Sequence, residues 1–178
     1  MQPSYHWFQQ RDQLRKAQGR VLDRLGLGPQ ESPFRIIVEQ AGLRLRWYGN
    51  EAIRRPPLLI VPAPIKQPYI WDLSRENSVV RRALEQQLDV YMVEWTEPEP
   101  GPHGPGLTDY AGAMLDDCID AIRARSGSDK VFLAGHSLGG IFAALYSAYR
   151  PGQVAGLVLV DAPLHFPEAG PDPDHPAP

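Results

Sequence analysis

The stretch Val131-Phe-Leu-Ala-Gly-His-Ser-Leu-Gly-Gly-Ile141 constrains the fold more than any other, because an apolar run ends in G-x-S-x-G and a helix-forming run follows at once. The pattern predicts a strand over Lys130 to Ala134, a sharp turn at Ser137 and a helix from Leu138 to Tyr149, stopped by Arg150-Pro151-Gly152. Such a turn is a nucleophile elbow. A serine hydroxyl is a poor nucleophile in an ordinary loop, and the bend lifts it above the sheet edge where a base can reach its proton. Gly135 and Gly139 lack the Cβ atoms that would hold strand and helix apart, and the close packing lets Ser137 take a strained backbone conformation. Leu138 opens the helix, so its amide faces the oxyanion formed on attack, with the positive helix end behind it. Ser137 is therefore the expected nucleophile and Leu138 the first oxyanion donor.

The rest of the chain can supply the sheet that such an elbow needs. At 178 residues and 43% hydrophobic, it is long and apolar enough for one domain with a real core. A net charge of −3 offers no basic field to nucleic acid or an anionic membrane, and no apolar run nears the ~18 residues of a spanning helix. The opening Met1-Gln-Pro-Ser-Tyr-His lacks a charged start before an apolar block, so no secretory leader is expected. A single cysteine excludes an internal disulfide and fits a cytoplasmic setting. No metal-ligand cluster or phosphate loop stands out, so no cofactor is expected.

Taken in order, Trp7, Leu14, Val21 and Leu25 recur at near-heptad spacing and predict an amphipathic helix from Tyr5 to Leu25, within an N-terminal segment of residues 1–33. Phe34–Glu39 and Leu43–Tyr48, separated by Ala41-Gly42, predict a β-hairpin with one wet face and solvated arginines. Leu58-Leu-Ile-Val61 is apolar without alternation, as a strand buried on both faces of a parallel sheet would be. The loop after it, Pro62-Ala-Pro-Ile-Lys-Gln-Pro68, stands where the second oxyanion donor of an acyl-transfer site belongs. Pro62 and Pro64 have no N–H, so Ile65 is the expected donor, with Ala63 as the alternative.

Asn77 is the expected N-cap of a helix that turns Val80, Ala83, Leu84 and Leu88 inward. Asp89–Trp95 is the next strand, and the Pro- and Gly-rich segment Thr96–Gly106 is long enough to border a cleft. Leu107, Tyr110, Ala111, Met114, Leu115, Cys118, Ile119 and Ile122 mark one face of a long helix that Gly127 ends. Cys118 on that face reads as an inert buried thiol. Val154–Val160 reads as a further buried strand, ending at Asp161. Strands alternating with helices predict an α/β fold with a doubly wound, mostly parallel sheet over residues 34–166, and a disordered Pro-rich tail over 167–178.

These residues resemble the α/β-hydrolase superfamily, and more closely its polyhydroxyalkanoate synthase branch. The closer likeness rests on Leu58-Leu-Ile-Val-Pro-Ala-Pro-Ile65, Pro68-Tyr-Ile-Trp-Asp-Leu73, Glu76-Asn-Ser-Val-Val-Arg81, Asp89-Val-Tyr-Met-Val-Glu-Trp95 and Leu107-Thr-Asp-Tyr110 in that order. The resemblance implies acyl chemistry on a small-molecule ester or thioester of hydroxyacyl type. Synthases carry cysteine in a G-x-C-x-G box, whereas Ser137 occupies the matching position here, as in esterases and lipases. A thiolate suits thioester exchange during polymerisation; a serine suits ester hydrolysis or simple acyl transfer.

In this superfamily an acid and then a histidine follow the serine, yet only 41 residues follow Ser137. Asp161 and His165 are the weak candidates for acid and base. Asp161 reads more readily as a loop cap, His175 falls in the tail, His136 points away from the serine, and nothing recommends His6 or His103. The expectation is an α/β-hydrolase sheet incomplete at its C-terminal side, a fragment weakly active or inactive alone. The alternative is a non-catalytic module pairing through an unpaired edge at Val154–Val160, with itself or a partner.

Overall fold

The computed structural model describes residues 28–51, 54–98 and 104–165, together with Gly19 and Gly26. The helix expected over residues 5–25 and the tail expected over 167–178 therefore fall outside the described residues, Gly19 apart. His6, His103 and His175 lie outside them as well.

Six strands form one sheet: β1 (Arg35–Gln40), β2 (Leu43–Trp47), β3 (Pro57–Val61), β4 (Asp89–Trp95), β5 (Val131–His136) and β6 (Val154–Val160), in the order β1-β2-β4-β3-β5-β6. The hairpin β1–β2 and the β2–β4 pair are antiparallel, and β4–β3, β3–β5 and β5–β6 are parallel. Gly42, at φ 81°, makes the tight hairpin turn. From β3 the chain steps outward to β4 and then crosses back to β5 on the other side. This reversal of direction sets a topological switch point at the carboxyl ends of β3 and β5, the place where open α/β sheets bind ligands.

Both faces of the central strand β3 are covered, as its unbroken apolar run predicts. Leu59 and Val61 face a core filled by Leu115, Ile119 and Ile122 of α2 (Met114–Ser126) and by Phe142, Ala143 and Tyr146 of α3 (Leu138–Tyr149). Leu58 and Ile60 face the other side, against Val80 and Ala83 of α1 (Val79–Glu85) and Trp71. Each buried Leu, Ile, Val or Phe side chain among these stabilises the fold by about 1.5–3 kcal/mol. No helix among the described residues is long and apolar enough to cross a membrane.

The structure corrects four local expectations. The polar face of β2 is wet only in part: Arg44 keeps a side chain 43% exposed, whereas Arg46 is 7% exposed, donates to Glu94 and Glu31 at 2.6 Å each, and stacks its guanidinium 4.1 Å from the Phe34 ring centroid. The reason is position, since β2 lies between β1 and β4 and β4 brings Glu94 beside it. β6 is not a buried strand: it pairs with β5 alone among the described residues, and Val158 and Val160 are 56% and 45% exposed.

The cap of α1 is Ser78 rather than Asn77. Its extended backbone lets Oγ accept from Arg81 N at 2.9 Å while donating to Asp72 at 2.6 Å. The helix expected from Leu107 does begin there, but it carries a π turn over Asp109–Ala113 near its start. That extra residue rotates Leu107 off the inward face, leaving it 53% exposed, while Leu115, Cys118, Ile119 and Ile122 stay buried.

Candidate active site

β5 runs up to His136, the chain reverses at Ser137, and α3 starts at Leu138. Ser137 takes φ 54° and ψ −126°, a region that costs a non-glycine residue about 1–3 kcal/mol and persists only where the surroundings enforce it. Three hydrogen bonds enforce it here. Ser137 N donates to Val160 O at 3.0 Å, and Ser137 O accepts from Gly140 N at 2.9 Å and Ile141 N at 3.2 Å. The serine is half-buried, and its Oγ caps no amide of α3.

Packing leaves no room for side chains around this bend. A Cβ on Gly135 would lie 2.5 Å from Gly140 Cα, and one on Gly139 would run into the carbonyls of Val61 and Pro62. Gly140, the glycine the motif does not include, would set a Cβ 2.6 Å from that of Ala162, just beyond β6. The signal for it was the doubled glycine after Leu138. With strand, helix and the β3 exit in backbone contact, Leu138 N–H sits at the first helical position, with no acceptor among the described residues.

The loop after β3 is fixed at both ends. Pro62 O accepts from the Trp95 indole N–H at 2.7 Å, and Lys66 N donates to Ala63 O at 2.9 Å, closing a turn. Further on, the Asp72 carboxylate is fully buried and accepts from Ser78 Oγ, from Ser32 Oγ at 3.1 Å and from Ser32 N, with Arg81 Nε 3.5 Å away. Ala63 is fully buried, whereas Ile65 is 84% exposed. Neither the Ala63 nor the Ile65 amide donates to an acceptor among the described residues. The Trp95–Pro62 bond carried no sequence signal beyond an indole at the end of a strand.

Trp95 itself is wedged among rings from two other elements. Its ring meets Tyr110 edge-on at 5.1 Å and Phe142 at 6.0 Å, and Tyr110 and Phe142 stack on each other at 5.3 Å.

Asp161 and His165 follow β6 and are both exposed, Asp161 with φ 49°. Neither side chain makes a hydrogen bond or ion pair among the described residues, so no acid–base relay to Ser137 is formed, and Asp161 caps nothing there. His136 turns to the α1 side and meets Trp71 edge-on at 6.4 Å, a packed neighbour as its place in the strand predicts. Cys118 is fully buried, and burial, with Asp117 adding to it, pushes its thiol far above the usual range. It is unsuited to nucleophilic work. No cluster of three or more metal-ligating side chains occurs among the described residues.

Comparison with known proteins agrees with this architecture. Residues 56–177 match the family described as "alpha/beta hydrolase fold". The chain is 38% identical over 149 residues to the poly(3-hydroxyalkanoate) polymerase subunit PhaC of Haloarcula marismortui, an alignment covering 79% of this chain and 31% of that protein. It is 37% identical over 142 residues to the PhaC subunit of Haloferax mediterranei, covering 79% and 29%. It thus spans about 30% of the length of these two relatives. Among solved structures, an α/β hydrolase from the metagenome of Mar Chica lagoon sediments superposes with a TM-score of 0.57 at 19% identity, over 74% of this chain and 52% of that one. The match across more than half of the sequence, on a six-stranded, mostly parallel sheet with a serine bend at the carboxyl end of β5, establishes that the chain belongs to the alpha/beta-hydrolase fold family.

Proposed function

We propose that the chain is a serine-dependent acyl hydrolase or acyltransferase acting on an ester or thioester of hydroxyacyl type. Ser137 Oγ attacks the carbonyl carbon, its proton passes to a base, and the amides of Leu138 and of the β3 loop, Ile65 or Ala63, hold the oxyanion. Collapse of the tetrahedral species expels the alcohol or thiol. Water, or the hydroxyl of a second hydroxyacyl group, then takes the acyl group from the serine.

One observation carries this reading: a serine held at φ 54° on a glycine-packed bend, where nothing in the sheet's own pairing calls for a strained residue. The substrate class follows from the likeness to the PhaC subunits. Asp161 and His165 engage nothing among the described residues. Full turnover on this reading calls for an acid and base from outside them. A single cysteine, buried as a free thiol, suits a cytoplasmic setting.

A fluorophosphonate probe tests the serine directly. The expected result is slow, stoichiometric labelling that maps to Ser137 and vanishes in Ser137→Ala. Absence of labelling, both here and in a chain extended with a complete acid–base pair, would overturn the reading.

A second reading, a module that pairs through its sheet edge, is favoured by β6 alone. That strand leaves one edge without a partner among the described residues and exposes Val158 and Val160. It predicts a stable oligomer on size-exclusion chromatography; a monodisperse monomer would exclude self-pairing.

A further inference from the structure

We propose that Trp95 is a positioning residue for the oxyanion side of the site, and that the donor it aims is the Ala63 amide. The inference rests on the reading of Ser137 as nucleophile.

A trans peptide is planar, so its carbonyl and the N–H that follows point in opposite directions. No cis peptide occurs among the described residues. By accepting from the Trp95 indole N–H at 2.7 Å, Pro62 O is therefore turned toward Trp95, and the Ala63 N–H is turned away from it by the same rigid plane. The residues on either side of Ala63 are prolines, which leaves its N–H as the one donor that this part of the loop can present. Ala63 is fully buried, and its amide has no acceptor among the described residues. A buried backbone donor without a partner is uncommon and calls for an explanation.

Position supplies one. Gly139, the residue after Leu138, is in contact with the backbone of Val61 and Pro62, so the Pro62–Ala63 peptide lies against the start of α3. Two unpaired amides, Leu138 and Ala63, thus flank one backbone contact. Ile65, the donor expected from sequence, lies farther along the loop with an exposed side chain.

Trp95 is braced for the task by Tyr110 from the π turn and Phe142 from α3. Phe142 stands one turn beyond Leu138, so the helix that presents one donor also supports the indole that aims the other.

Trp95→Phe keeps an aromatic ring in the cluster and removes the N–H. With the fluorophosphonate probe, the maximal labelling rate constant should fall ~10–100-fold, toward the loss caused by deleting an oxyanion donor, while the half-saturating probe concentration stays within about twofold. A purely packing role would lower melting temperature and leave that rate constant unchanged. In 15N-labelled wild type, the Ala63 amide proton should move downfield when Ser137 is phosphonylated, a measurement that needs no variant. Unchanged labelling by a folded Trp95→Phe, or an Ala63 resonance indifferent to phosphonylation, would overturn the proposal and leave Ser137 standing. A wild-type chain never labelled at Ser137 would overturn both.

Discussion

Gly135→Ala is the sharpest test of the packing beneath the bend. The added methyl would lie 2.5 Å from Gly140 Cα, 2.6 Å from Gly139 O and 2.8 Å from Gly140 N, all backbone atoms that no rotamer change can clear. Ordinary contact begins near 3.4 Å, so β5 and α3 must separate by close to 1 Å. Overpacking of this kind costs about 3 kcal/mol, at the upper end of the usual range because the obstacle is main chain. Against that, alanine restricts the unfolded chain and returns about 0.4–1 kcal/mol, since Gly135 is not at positive φ. The net expectation is a loss of about 2–2.5 kcal/mol by urea denaturation. Because the displaced segment carries Ser137 and Leu138, probe labelling should fall ~100-fold, the usual penalty for misplacing a reacting group by an ångström. Gly112→Ala is the control: a Cβ there meets nothing within 4 Å, so stability should hold or rise. Equal denaturation midpoints for wild type and Gly135→Ala would refute the close approach of β5 and α3.

Two further substitutions read other parts of the fold. Ser78→Ala removes the α1 cap and one hydrogen bond to the buried Asp72, and should cost about 2 kcal/mol in urea denaturation, where Asn77→Ala costs less. Burial raises the Tyr48 phenol from 10.0 to about 12 against the opposing pull of the nearby Arg46 guanidinium, and its hydroxyl is buried without a hydrogen bond of good geometry. Between these two values the unfolded chain releases a proton that the folded chain keeps, so stability is full below pH 10 and declines as pH rises toward 12. Tyr48→Phe should therefore flatten the stability profile over that interval, by at most about 2–3 kcal/mol, and should be no less stable than wild type at neutral pH. Parallel alkaline profiles for the two proteins would contradict the burial of that hydroxyl.

What the sequence disclosed was local in origin. Glycines, serine and apolar runs within a dozen residues are enough to announce the β5–Ser137–α3 turn, and the Ala41-Gly42 turn announces the hairpin on its own. The inward face of α1 was legible for the same reason, since 3.6-residue periodicity survives without knowledge of the partner. What stayed hidden depends on residues far apart in the chain. Arg46 is buried because Glu94 arrives 48 residues later, and nothing in Leu-Arg-Leu-Arg-Trp tells an inner strand from an outer one. β6 shows the converse: an unbroken apolar run reads as buried, although no described element covers its outer side. The bond between Trp95 and Pro62 likewise spans 33 residues, and only the sheet order that sets β4 beside β3 brings them together.

The strand at the sheet margin is also tied to the bend. Val160 O holds Ser137 N, and Ala162 closes on Gly140, so two of the moorings of the serine's helix entry lie at the far end of β6. The edge strand of the sheet is thus also part of the scaffold that fixes the backbone of Ser137.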